Sequence, residues 1–198
     1  MWSFLRKSFV SIETQLCELE KTGVVPNPEV TDDDLASFCE VSEYEAAPYR
    51  KIIEVLGCQI QRKPFNPMCD RLWLCDYECI DDNSAFRKIL ERLQVLSRRR
   101  LHIANIEDVV DLEDSKAWVE FTVENKRVNW DVKVNDDWLD PYIIVKFDEL
   151  LRQKSDLMIY SNHTDFGQSA LFACMTESEF AVFRKLSQVK FDELRNLA

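Results

Sequence analysis

Trp118 to Val134 reads WVEFTVENKRVNWDVKV, two runs in which apolar and polar residues alternate about a polar centre. A side-chain period of two marks a strand with one buried face. Val119, Phe121 and Val123 share a face of the first run, and Val128, Trp130, Val132 and Val134 share a face of the second. A two-residue turn at Asn125 and Lys126 would set Val123 opposite Val128, Phe121 opposite Trp130 and Val119 opposite Val132, making every core pair apolar. The opposite face shows Trp118, Glu120 and Thr122 against Lys133, Asp131 and Asn129, so it is polar except for one tryptophan.

Downstream, Asp140 and Pro141 read as the cap and first residue of a helix, with Ile143, Ile144, Phe147, Leu150 and Leu151 at helical spacing. A second hairpin follows, from Leu157 to Ser161 and from Ser169 to Cys174, around a polar loop at 162–167. Thr176 with Glu179 forms a capping box that opens a last helix through Phe180, Phe183 and Leu186. The order β-β-α-β-β-α implies an α+β fold, a mainly antiparallel sheet built from hairpins with helices packed on one face.

Upstream, Phe4, Leu5, Phe9, Ile12, Leu16 and Leu19 suggest an amphipathic N-terminal helix over 2–20, ended by Gly23, Pro26 and Pro28. Thr31 with the acids Asp32, Asp33 and Asp34 reads as a helix start, and Pro48 as the opening of a helix that Gly57 stops. Strands are expected near Cys58–Arg62 and over Leu72–Ile80, and a helix with Phe86, Ile89, Leu90, Leu93 and Leu96 as its buried stripe. At 198 residues the chain is expected to form one compact domain, with 1–100 and 101–198 as possible submodules.

Charge is unevenly distributed. From Glu107 to Asp140 eleven acids stand against Lys116, Lys126, Arg127 and Lys133, which places −7 of the chain's −11 in this one segment. With a pI near 4.7 nucleic acid is not an expected ligand, because polyphosphate binding needs a clustered basic footprint. Arg98, Arg99 and Arg100 form the only dense basic run, which suits a solvated helix end. No run reaches the length of a membrane span, and the first ten residues lack the pattern of a secretory signal, so no membrane contact and a cytoplasmic location are expected. The seven cysteines lack paired CxxC spacing and suit buried thiols in a reducing compartment. On a regular strand Cys75 and Cys79 would stand about 13 Å apart, too far to share a metal.

Catalytic signatures are sparse. His102 and His163 are the only histidines, and three glycines leave no phosphate-cradling loop. His163, with Asp165 and Gln168 in a hairpin loop, is the alternative candidate site, although Asn, Asp and Gly also serve ordinary turns. Cys174 belongs near the far end of that hairpin and reads as a core thiol. Asp136, Asp137 and Asp140 lack the oxygen count and the glycine bend of a calcium loop, so neither a metal nor a cofactor is expected.

The binding candidates are therefore Glu107, Asp108, Asp111, Glu113, Asp114, Glu120, Asp136 and Asp137, which either form a solvated edge or steer a basic protein. Trp118 is either covered by another element or exposed as the aromatic anchor of that surface. The hairpin, then Asp136, Asp137, Trp138, Leu139, Asp140 and Pro141 opening a helix, then a hairpin containing Phe166, Gly167 and Gln168 before a capped helix, resembles bacterial immunity proteins over residues 116–187. These are small acidic proteins encoded beside secreted toxins. The resemblance implies a non-enzymatic cytoplasmic antitoxin that occludes the active site of a basic toxin domain. The rivals are a small-molecule enzyme at the His163 loop and a structural or regulatory subunit.

Overall fold

In the computed structural model, which describes residues 9–194, the first half of the chain runs α1 (Ile12–Glu20), α2 (Asp32–Ala36), α3 (Val41–Ala46), α4 (Arg50–Leu56), β1 (Leu72–Asp76) and α5 (Ala85–Leu96). The second half runs β2 (Ile103–Asp111), β3 (Lys116–Val123), β4 (Lys126–Lys133), α6 (Tyr142–Arg152), β5 (Leu157–Asn162), β6 (Ser169–Thr176), α7 (Glu177–Ser187) and β7 (Asp192–Glu193). The class is α+β. The strands form two antiparallel sheets, one ordered β1-β6-β5-β7 and one ordered β2-β3-β4. No helix among the described residues is long and apolar enough to cross a membrane.

Alternation along β6 divides the interior in two. Ala170, Phe172 and Cys174 face a core that also takes the stripes of α5 (Phe86, Ile89, Leu90, Leu93) and α6 (Ile143, Ile144, Phe147, Leu151) and the inner face of the β3-β4 hairpin. Leu171, Ala173 and Met175 face a second core with Leu19, Tyr44, Ile52, Ile53 and Leu56 from the N-terminal helices and Phe180 and Phe183 from α7. Both faces of the four-stranded sheet are thus covered, and near-continuous apolar runs such as 170–175 are the sequence consequence. Each core draws on both halves of the chain, and β1 pairs with β6, so position 100 is not a seam between submodules.

Several local expectations need correction. The hairpin turns at Glu124 and Asn125, not at Asn125 and Lys126; both residues have positive φ, 48° and 65°, as the tightest two-residue turns require. Val119 therefore faces Trp130, Phe121 faces Val128, and Ala117 faces Val132. Moving the pairing by two residues keeps every side chain on its expected face, and Phe121 still meets Trp130 edge-on at 4.7 Å between centroids. The strand expected at Cys58–Arg62 is reduced to a single bridge from Gln59 to Pro67. The strand expected over Leu72–Ile80 stops at Asp76, whose Oδ1 accepts the Glu78 N–H at 3.0 Å and turns the chain. The N-terminal helix begins only at Ile12, after Ser11; Phe9 lies outside it, 71% exposed, and residues 2–8 of the expected helix lie outside the described residues.

Three polar tethers tie strands to their helices. Arg71, buried, donates through Nε to the Cys174 carbonyl at 3.0 Å and through Nη2 to Glu179 at 2.9 Å, which ties β1 to β6 and α7. Asp148 of α6 accepts the Ile159 N–H of β5 at 2.7 Å and the Arg152 Nε at 2.6 Å. Asp108 of β2 accepts three backbone N–H groups at the start of α5.

Candidate functional site

The register of the three-stranded sheet decides where the acidic segment lies. Val109, Trp118 and Asp131 form one row across its outer face, Glu107, Glu120 and Asn129 a second, and Asp111, Lys116 and Lys133 a third at its end. No described element covers this face: Val109 is 39% exposed and Trp118 half-buried. The N-terminal helix α1 packs instead with the second core, so it is not the cover considered for Trp118. Trp118 presents its indole between an exposed valine and a carboxylate.

The charge of the face itself is nearly balanced. Four acids (Glu107, Asp111, Glu120, Asp131) stand among three bases (Lys116, Arg127, Lys133), and Arg127 Nε lies 2.5 Å from Glu120 Oε1. The uncompensated charge sits at the sheet end beyond the Asp111–Lys116–Lys133 row. There the β2–β3 turn carries Glu113 and Asp114, and the segment after β4 carries Asp136 and Asp137, all exposed. Lys116 reaches Asp114 at 2.9 Å, but both are well exposed, and such a pair is screened and weak. Leu112, 44% exposed, and Trp138, 40% exposed, add apolar surface in the same two segments.

Residues far away in sequence join this end. The Cys79 and Ile80 N–H groups donate to the Asp137 carbonyl at 3.0 and 2.9 Å, Glu78 bridges to Trp138, and the Val110 N–H donates to Asn83 at 2.7 Å. Segment 76–83 thus brings Asp76, Glu78, Asp81 and Asp82 alongside the Glu107–Asp140 acids. In sequence, residues 76–80 of this segment read only as the end of a strand. The signal was present in its four acids without a base, but nothing local says which surface they join.

Asp108 does not belong to the surface. Its side chain is fully buried, and Oδ2 accepts from Ser84, Phe86 and Arg87 N–H at 3.0, 3.1 and 3.3 Å, satisfying orphan donors at the N-terminus of α5. It is a structural cap, because the bulge between Ala104 and Glu107 turns it inward against the helix. Among the other candidates, Glu107, Asp111, Glu113, Asp114, Asp136 and Asp137 are exposed and Glu120 is half-buried beside Arg127. Asp140, two residues before α6 begins, accepts the Tyr142 and Lys133 N–H groups at 3.0 and 3.1 Å.

The alternative site does not assemble. His163 Nδ1 bonds the Tyr77 hydroxyl at 2.9 Å, its ring stacks on Tyr77 and meets Phe172 edge-on, and burial lowers its pKa, opposed by Asp192. Asp165 accepts from Asn162 Nδ2 at 3.0 Å, while Asn162 Oδ1 accepts the Thr164 and Asp165 N–H groups, an ordinary side-chain-stabilised turn. Gln168 points elsewhere and donates to Asp76 and Glu78. The nearby cavity of 250 Å³, lined by Tyr77, Tyr142, Ile144 and Phe172 among others, does not include His163 in its wall. Cys174 is buried opposite Ile159, four residues along the strand from His163 or roughly 13 Å, and burial pushes its thiol up to about 12. Among the described residues no group of three or more His, Cys, Asp or Glu side chains could hold a metal ion. Compared with protein-family models, with curated proteins and with solved structures, the chain matches none.

Proposed function

We propose that the protein is a non-enzymatic binding protein of the immunity type, which sets the acid-rich end of its three-stranded sheet against a basic toxin domain and occludes that domain's active site. One observation supports this reading above the others: Val109 and Trp118 lie side by side on an uncovered sheet face, next to a turn and a loop that carry Leu112, Trp138 and exposed carboxylates. Each part has a physical task. Carboxylates attract and orient a basic partner over several ångströms, and buried aromatic rings supply the energy that holds it once water is expelled. A cavity suited to a small-molecule substrate is not required for either task.

The test is affinity capture from the native host with three baits: wild type, Trp118→Ala, and a variant with Glu113, Asp114, Asp136 and Asp137 replaced by their amides. Wild type should retain one basic protein at low salt and lose most of it as salt rises, and both variants should retain much less. Equal recovery by all three baits would place the contact elsewhere.

A further inference from the structure

β1 is the edge strand of its sheet, and residues 73–76 of that strand line, with α5 and the segment 58–59, a cavity of 430 Å³. On α5 the wall is Ala85, Lys88, Ile89 and Arg92, one stripe at helical spacing. Arg92 ties this helix to the strand: its Nη2 donates to the Cys69 carbonyl at 3.0 Å and to the Leu72 carbonyl. Its Nη1 is buried without an acceptor. The guanidinium pairs with no carboxylate among the described residues. Asp70, whose charge acts on it from further off, is exposed and accepts from Asn27 Nδ2 at 2.8 Å. Burial lowers the pKa of Arg92 to about 10. Burying a cation costs free energy unless a counter-charge comes with it, and Arg92 belongs to the wall of a cavity from which one can come.

The other end of the cavity is acidic. Asp76 stands four residues along β1 from Leu72, roughly 13 Å away, and Gln168 donates to both of its oxygens. Cys79 lines the cavity in the neighbourhood of Asp76, Asp81 and Asp137. The wall thus has a direction, with an unpaired guanidinium at the Leu72 end, apolar side chains between, and carboxylates at the Asp76 end.

We propose that this cavity binds a small monocarboxylate with an apolar body, of the medium-chain fatty-acid class, its carboxylate on Arg92 and its chain along Trp73, Leu74 and Ile89. The volume suits such a guest, since small-molecule sites run from about 300 to 1,000 Å³. The guanidinium supplies a charge-assisted hydrogen bond to the carboxylate, and the chain gains by leaving water. The acids at the far end fix the orientation and repel a second carboxylate. Lys88 adds attraction at the rim, where its pair with Asp82 at 3.4 Å is exposed and weak. The thiols serve as apolar wall: Cys58 donates to the Glu54 carbonyl at 3.5 Å and Cys75 to the Asp76 carbonyl at 3.4 Å.

The test is calorimetric titration of the full chain with three probes: octanoate, the neutral octanol, and suberate, which is charged at both ends. Wild type should bind octanoate with a dissociation constant of roughly 0.1–1 mM, the range for a ligand of this size. Octanol and suberate should bind about tenfold more weakly or not at all. Arg92→Met, which keeps the length of the side chain and removes its charge, should weaken octanoate by about tenfold or more. Bound octanoate should also slow the alkylation of Cys58 and Cys79, both half-buried in the wall, by iodoacetamide. Failure of octanoate to bind, equal binding of octanol or suberate, or unchanged affinity in Arg92→Met overturns the proposal. If Arg92→Met does not fold, wild type decides, because octanoate that leaves both cysteines alkylated as fast as before occupies some other place.

Discussion

Substituting Asp108 by alanine would leave three N–H groups at the start of α5 without their acceptor, the Phe86 N–H among them in a buried place. Losing a cap and orphaning buried donors should cost about 2–3 kcal/mol, seen as a lower urea midpoint with an unchanged slope. The exposed Asp111→Asn, three residues on, should change stability by less than about 0.5 kcal/mol. Glu179 gives a pH dependence of known sign. Burial alone would raise its pKa, but the Thr176 N–H and the guanidiniums of Arg98 and Arg71 outweigh it and hold the carboxyl at about 2. Arg62 and Thr31 hold Asp34 at about 2 as well. The folded pKa lies below the unfolded one, so the stabilisation is complete above the ordinary carboxylate range and is lost as pH falls from about 4 towards 2. Urea unfolding between pH 6 and pH 2.5 should show this decline, shallower in Glu179→Gln; parallel curves for the two proteins would contradict the assignment.

At the scale of elements, Gly57 shows why a helix end can be read from sequence for an incomplete reason. It ends α4, but its φ is ordinary for a helix; what it lacks is a side chain, since a Cβ would come within 2.9 Å of the Leu74 backbone nitrogen and 2.7 Å of Leu171 Cδ1. Gly57→Ala should therefore destabilise by about 1–3 kcal/mol through overpacking, measured by thermal or urea unfolding. The β3-β4 turn offers the opposite change. Glu124 adopts a left-handed conformation that a long side chain disfavours, and its pair with Lys154 is exposed. Replacing Glu124 and Asn125 by Asn-Gly should raise stability by about 1 kcal/mol.

Elements whose signal is local were legible. The capping box of Thr176 and Glu179, the stripe of α5 and the alternation of β3 and β4 lie where their residues put them, and α6 starts one residue later than expected, at Tyr142 after Pro141. Elements whose pattern depends on distant partners were not. β2 escaped because a bulge at Asn105 breaks its alternation and because Asp108, an acid on the buried side, makes sense only against a helix start more than twenty residues earlier. The turn was misplaced by one residue because Glu124 is not a usual turn former. The candidate surface was legible as a charge, but not as a place: the acids of 76–82 reach it through bonds to distant residues, from Cys79 and Ile80 to Asp137, from Glu78 to Trp138, from Leu139 to Tyr77 and from Val110 to Asn83.

For the whole molecule, the distribution of charge matters more than its sum. The sheet face offers a nearly neutral patch with Trp118 and Val109, and the excess carboxylates stand at one end of it. Attraction of this kind acts mainly on the rate of encounter and is screened within about 8 Å at physiological ionic strength. Removing the Trp118 ring should instead speed dissociation, because aromatic anchors act after contact. The most direct measurement is the association rate of the captured basic partner, at low and moderate salt, for wild type and for the variant with Glu113, Asp114, Asp136 and Asp137 turned into amides. The variant should associate roughly tenfold more slowly at low salt and lose most of its salt dependence, with its unfolding midpoint little changed. Identical association rates and salt dependence in the two proteins would contradict steering by this end of the sheet.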